Sequence, residues 1–166
     1  PCAWAGRAGA STGITIAAAS SIARAARIER QENYLRLEVA SNDVFRFDAD
    51  NAAVLTKFRT PTPAKEAFSE TEQAIVECFF FMTLNLFEIS IRFRRDGTID
   101  KHVFGSWVVW YYDTLCGWRF REQWPRLREN YTKELREVFD APVASFDPTA
   151  LDADRKMQFF LHVGKI

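Results

Sequence analysis

The chain has 166 residues, enough for one domain with a sizeable core, and its 22 basic and 22 acidic residues leave no net charge. That balance excludes a general electrostatic attraction for nucleic acid. Aromatic residues at 14%, with only 7 Gly and 6 Pro, point to a helical rather than an all-β protein. Cys2, Cys78 and Cys116 are an odd count without metal spacing, so free thiols in a reducing compartment are expected.

The sequence begins at Pro1 without an initiator Met, which suggests a processed or truncated chain. The 16 residues from Ala8 to Ala23 carry no charge and are flanked by Arg7 on one side and by Arg24, Arg27 and Arg30 on the other. Gly9, Gly13, Ala17 and Ser21 recur every fourth residue, a small-residue seam of the kind along which membrane helices pack closely. Counted from Ala3, with Trp4 at one interface and Arg7 snorkelling, about 20 residues are available to cross a bilayer. The basic cluster after Ala23 then faces the cytoplasm by the positive-inside rule. A soluble Ala-rich helix and a cleaved signal peptide are the alternatives.

From Arg24 no Gly or Pro interrupts the pattern, and one long helix is expected to run to Asp48–Asn51. Ile28, Tyr34 or Leu35, Leu37, Val39, Val44, Phe45 and Phe47 give its apolar period; Glu29, Arg30, Glu32, Arg36 and Glu38 give a solvated face. Asn51–Phe58 reads as a short helix, and the two prolines of Thr60-Pro-Thr-Pro63 make 59–67 an extended linker.

Ser69 to Gly117 holds most of the bulky apolar mass. Ser69-x-x-Glu72 is a capping box, and apolar residues from Ile75 to Phe93 fall on nearly every face, as expected of a central helix. The short uninterrupted run and the charges at Glu88 and Arg92 favour a buried helix over a membrane span. Arg92, Arg94 and Arg95 suit the helix C-terminus and Gly97 supplies a left-handed stop. Asp100 is the expected N-cap of a second helix ending at Cys116, with Gly117 as its stop. Trp118 to Asp140 reads as one further helix in which Pro125 either begins a new helix at its first position or kinks a continuous one, Ala141–Pro148 as loop, and Pro148–Val163 as a short terminal helix. The sum is an all-α bundle of about four main helices: residues 1–26 form a membrane anchor, and residues 27–166 form the domain, with a loosely packed segment at 141–166.

The stretches Arg27–Asn51 and Asn85–Tyr112 resemble a family of uncharacterised bacterial proteins. The family pattern N-x-x-E…R-x-G-x-(I/L)-D…G-S-W-V-V-x-Y-(W/Y) matches here at Asn85, Glu88, Arg95, Gly97, Ile99, Asp100, Gly105, Ser106, Trp107, Val108, Val109 and Tyr111. The resemblance implies an N-terminal membrane helix with a small cytoplasmic all-helical domain, and brings no activity with it. This chain departs from the family in its short, weakly apolar N-terminal segment.

Motifs that carry chemistry are few. Neither His102 nor His162 follows a Glu by three, as a carboxylate-bridged metal bundle requires. Ser106 lies outside a nucleophile elbow, and close helix packing is the expected reason for Gly105 and Ser106. No phosphate-binding Gly loop, CxxC or HExxH occurs. No catalytic, metal or cofactor site is therefore assigned. Asn85, Glu88 and Arg92 form a polar stripe expected to be a structural hydrogen-bond network. Trp107, Trp110, Tyr111, Trp118 and Trp124 form an aromatic band expected to be core, with a partner-binding patch as the alternative. The function so read is that of a non-catalytic accessory or scaffolding subunit of a membrane complex, held at the bacterial inner membrane with its domain on the cytoplasmic side. Its partners would be protein subunits. The alternative is a soluble sensor or effector that binds a small apolar ligand or a protein.

Overall fold

The computed structural model describes residues 9–63 and 67–165, with side chains from Ala18 onward in the first helix. Helix α1 (Gly9–Asp50) has 42 residues and, at 1.5 Å per residue, is about 63 Å long. After Gly13 nothing in it breaks a helix, and it stops where the Asn51 amide side chain turns back to donate to the Phe47 carbonyl at 2.8 Å. Leu37, Ser41 and Val44 form its buried stripe. The Ser41 hydroxyl is satisfied locally, on the Glu38 carbonyl at 2.8 Å. Helix α2 (Ala52–Leu55) and a 3-10 turn (Thr56–Phe58) follow at once and sink Leu55 and Phe58 into the core.

Helix α3 (Glu70–Arg95) is central. Its capping box is complete: the Ser69 hydroxyl accepts from the Glu72 amide at 3.3 Å and the Glu72 carboxylate accepts from the Ser69 amide at 2.9 Å. Lys57 reaches the same carboxylate at 2.6 Å, tying the 3-10 turn to the start of α3. The Lys57 bond, followed by the backbone bond from Ser69, holds the Glu72 carboxyl down at about 2. A carboxyl depressed in the folded state binds its proton more readily when unfolded, so stability rises with pH between those values. Stability is therefore expected to fall as pH drops from 4.5 towards 2, and Glu72→Gln should flatten that limb of a urea-midpoint profile. An unchanged profile would mean that the cap adds no pH-dependent stability.

Among the described residues α3 is the one helix long and apolar enough to cross a membrane, and it lies mid-chain. Half of its most apolar window is buried inside the fold, including Phe80, Leu84 and Phe87. Phe81 and Ile89 are 41% and 39% exposed, so α3 is not wrapped on every face as its composition suggests. It ends in a Schellman motif: Thr98 N–H donates to Phe93 O at 2.8 Å, Gly97 N–H to Arg94 O at 3.2 Å, and Gly97 takes φ +69.

Helix α4 (Lys101–Cys116) starts on the Asp100 side chain, which accepts from the His102 and Val103 amides at 2.7 and 3.0 Å. Gly117 ends it, but at φ −68, ψ 121 rather than in the left-handed region. A glycine is needed there for close approach, since a Cβ would lie 3.1 Å from both the Phe58 ring and the Phe58 carbonyl.

The stretch from Trp118 to Asp140, expected as one helix kinked or restarted at Pro125, is two helices, and the break falls after Pro125. Helix α5 (Trp118–Leu127) passes through Pro125 into a 3-10 turn (Arg128–Asn130), and Tyr131 and Thr132 are extended before α6 (Lys133–Ala144). The break is held from outside, because the Thr132 amide donates to Glu88 of α3 at 2.8 Å. Helix α6 runs through Pro142, so the loop expected from Ala141 begins at Ser145. Helix α7 (Asp152–Val163) inserts Phe159 and Val163 into the core, and the Tyr112 hydroxyl donates to Asp152 Oδ1 at 2.7 Å. Within the segment expected to pack loosely, Phe159 and Val163 are thus core residues, while Leu151, Met157 and Leu161 stay exposed. The architecture is all-α, with seven α-helices and no strand among the described residues. The number exceeds the expected four because of the 130–132 break and the short α2 and α7.

Candidate functional site

Three surfaces stand out once the core is accounted for. The first is α1. From Ala18 to Arg36 only Ala26 and Asn33 are half-buried; every other side chain is exposed. Over this stretch α1 borders the α3–α4 turn, where Arg27, Arg30 and Tyr34 face Thr98 and Val103. Ile28, Leu35 and Val39, expected on the inward stripe, are 48%, 63% and 56% exposed. At 100° per residue they lie about half a turn from Leu37, Ser41 and Val44, so α1 carries a second apolar stripe facing away from the domain. Gly9, Gly13 and Ala17 lie in α1 at four-residue spacing, but their side-chain surroundings fall outside the described residues, as does Trp4; Ser21 is exposed.

The second surface lies between α1 and α4. Of the aromatic band, Trp107, Tyr111 and Trp124 are buried, at 5%, 0% and 2% exposure, and belong to the core. Trp118 is half-buried and donates from Nε1 to the Lys57 carbonyl at 3.2 Å, which is a packing role. Trp110 is the member left at a surface. Its ring lies 5.0 Å from that of Phe45, itself 51% exposed, in a depression that Val109, Glu38 and Asp113 also line.

The polar stripe separates. Asn85 is exposed; Glu88 is half-buried, 3.9 Å from Arg92, and caps α6 through the Thr132 amide. Glu88 is thus an inter-helix brace, while Asn85 stands apart on the surface. Arg119 and Arg121, the other partners considered for Glu88, are engaged elsewhere, Arg119 with Glu122 and Arg121 with backbone carbonyls. The described residues contain no cluster of His, Cys, Asp and Glu suited to a metal ion. Cys78 is exposed, and burial raises the pKa of the half-buried Cys116 thiol, making it less reactive.

The third surface is a cleft of about 620 Å³ where the end of α3, the start of α4, α6 and the end of α7 meet. Gly105 lies in its wall, and nothing comes within 4 Å of where a Cβ would be. Close helix packing is therefore not its role. A glycine inside a helix costs about 0.5–1 kcal/mol relative to alanine, and here that cost is offset by no contact. What the missing side chain leaves is space. The sequence signal was the glycine itself in an otherwise bulky helix; the direction it faces was not readable. No family model, curated protein or solved structure matches this chain.

Proposed function

We propose that this protein is a non-catalytic, membrane-anchored interaction protein, an accessory or scaffolding subunit of a larger membrane complex. Its anchor is the N-terminal part of α1 at the bacterial inner membrane, with the helical domain on the cytoplasmic side. The observation that carries this reading is the long exposed reach of α1, in which every side chain from Ala18 to Ala25 faces solvent. Three features support it: the uncharged run from Ala8 to Ala23, the arginines at 24, 27 and 30 that follow it, and the outward stripe of Ile28, Leu35 and Val39, suited to a partner helix. The resemblance to bacterial proteins with a membrane helix and a cytoplasmic helical domain agrees with it.

Flotation of the 166-residue chain with phosphatidylethanolamine–phosphatidylglycerol vesicles tests the anchor. The chain is expected to float and to resist carbonate extraction, and Ile16→Asp with Ala19→Asp to abolish both while leaving the helical circular dichroism intact. A chain that stays in the soluble fraction as a monomer overturns the proposal. So does a double variant that still resists extraction, since the membrane seat would then be α3 or the domain surface. A second reading, a helical sensor or effector for a small apolar ligand, is favoured by the cleft at Gly105.

A further inference from the structure

We propose that the α3/α4/α6/α7 cleft binds a free aliphatic carboxylate of medium or long chain, the hydrocarbon lying across Gly105 and the carboxylate meeting Arg94 and Lys101. The proposal rests on the second reading above and is independent of the anchor. A volume of about 620 Å³ falls within the range of about 300–1,000 Å³ that small-molecule sites occupy. The body of the cleft is apolar: Ile91, Val108, Val138 and Val163 form the floor, with Phe104 and Phe160 as walls. The floor residues are at most 7% exposed, so they are held by the core behind them and form a preset surface rather than one that must be ordered. No polar side chain stands in this floor, so the body of a ligand that fits it must carry no hydrogen-bonding groups, which would be left unpaired there.

The charge of the ligand follows from the rim. Arg94, Arg95 and Lys101 line the cleft, and no carboxylate does. Arg95 is engaged with Glu134. The two acids adjacent in sequence, Asp96 and Asp100, lie outside the lining, and Asp100, although Arg94 is near enough to act on it, uses its carboxylate on the first amides of α4. Arg94 and Lys101 are exposed and stand in no salt bridge among the described residues, which leaves two cations at one end of an apolar trough. An aliphatic chain with a single carboxylate matches both halves of the site. Gly105 gives it depth, because any side chain there would point into the space the hydrocarbon takes.

Isothermal titration and thermal shift of the 166-residue chain with decanoate, below its micelle concentration, test the assignment, with decan-1-ol and butyrate as probes of the head and the chain. Decanoate is expected to bind saturably and to raise Tm, with decan-1-ol and butyrate each at least tenfold weaker. Gly105→Ala is expected to melt above the wild type without ligand. Gly105→Leu, equally helix-favouring, should lose decanoate binding at least tenfold while remaining folded. Arg94→Gln with Lys101→Gln should bring decanoate down to the level of decan-1-ol. Decanoate binding equally well to Gly105→Leu overturns the site, decan-1-ol binding as tightly as decanoate overturns the role of the two cations, and no saturable binding overturns the whole proposal. Vesicle flotation of Gly105→Leu should match the wild type, so failure here and failure of the anchor are separable.

Discussion

Replacing Phe139 with alanine is expected to destabilise the domain by about 3–5 kcal/mol, the usual range for truncating a fully buried aromatic side chain. Phe139 has no solvent exposure, and its ring is met by five others: Phe120 at 5.0 Å, Trp124 at 5.3 Å, Phe87 and Tyr111 at 6.2 Å, and Phe159 at 6.3 Å. Those rings come from α3, α4, α5 and α7, so one side chain on α6 touches every main helix of the bundle except α1. Aromatic pairs add about 0.5–1.5 kcal/mol beyond the area they bury, which places the cost towards the upper end of the range. Collapse of the cavity is resisted because the neighbours are themselves fixed: Trp124 donates from Nε1 to Asp140 at 2.9 Å, and Asp140 is in turn held by Arg128 Nε and Nη2 at 2.9 and 2.7 Å. For a chain of this size the loss corresponds to a fall in Tm of roughly 6–20 °C. Phe139→Leu, which keeps apolar bulk and gives up only ring edges, should recover most of it. A urea titration placing Phe139→Ala within 1 kcal/mol of wild type would mean that the aromatic centre is not the stabilising core.

What could be read from the sequence was what is decided within a few residues. The Ser69–Glu72 box, the Gly97 stop and the Asp100 cap all form as their spacing predicts, because each is closed by groups no more than five positions apart. The all-helical class followed from the same local periodicity. The helix break at Tyr131–Thr132 was not legible, since its stabilising bond comes from Glu88, 44 positions away on another helix. Face assignment failed for a related reason. Ile28, Leu35 and Val39 keep an apolar helical period, but so do Leu37 and Val44, and only the position of α3 decides which stripe is buried. At the candidate cleft the apolar residues and the Arg94–Lys101 cations were visible in the sequence, whereas the trough between them needed α6 and α7 packed beside α3 and α4. Gly105 shows the limit most directly: the same residue type serves close approach at Gly117 and open space at Gly105, and the surroundings alone tell them apart.

Arg121→Met is expected to cost about 2–4 kcal/mol, unusually much for a residue that is only half-buried, because its guanidinium replaces a helix cap. Helix α4 runs into α5 with a single residue between them, and Gly117 is extended there, so no Schellman or left-handed turn is available to satisfy the last carbonyls of α4. Arg121, one turn into α5, does so instead: its Nη1 donates to Leu115 O at 2.7 Å and to Cys116 O at 2.6 Å, while Nη2 donates to the Pro61 carbonyl of the linker. The face of the guanidinium lies 3.7 Å from the centre of the Phe146 ring in the loop after α6. One planar cation therefore joins the α4–α5 junction, the proline linker and the α6–α7 loop. Burial lowers its pKa without neutralising it, since a guanidinium starts far above any working pH. Removing the guanidinium takes this donor from three part-buried carbonyls, each costing up to about 1–3 kcal/mol when orphaned and less where water can enter. The methionine keeps the apolar stem, so the measured loss reports the polar clamp rather than packing. Arg121→Lys should recover less than half, because an ammonium cannot spread across carbonyls on three residues and stack on a ring at once. Limited proteolysis gives a second readout: in Arg121→Met the 59–63 linker should be cut faster under native conditions, before global unfolding. Equal urea midpoints for wild type and Arg121→Met would show that solvent satisfies those carbonyls, and full rescue by lysine would show that any cation suffices. The first result would leave the α4–α5 junction to the Phe58–Gly117 contact and to the Trp118 bonds to the Thr60 and Lys57 carbonyls, and Gly117→Ala, which places a Cβ 3.1 Å from Phe58, would then become the more damaging change.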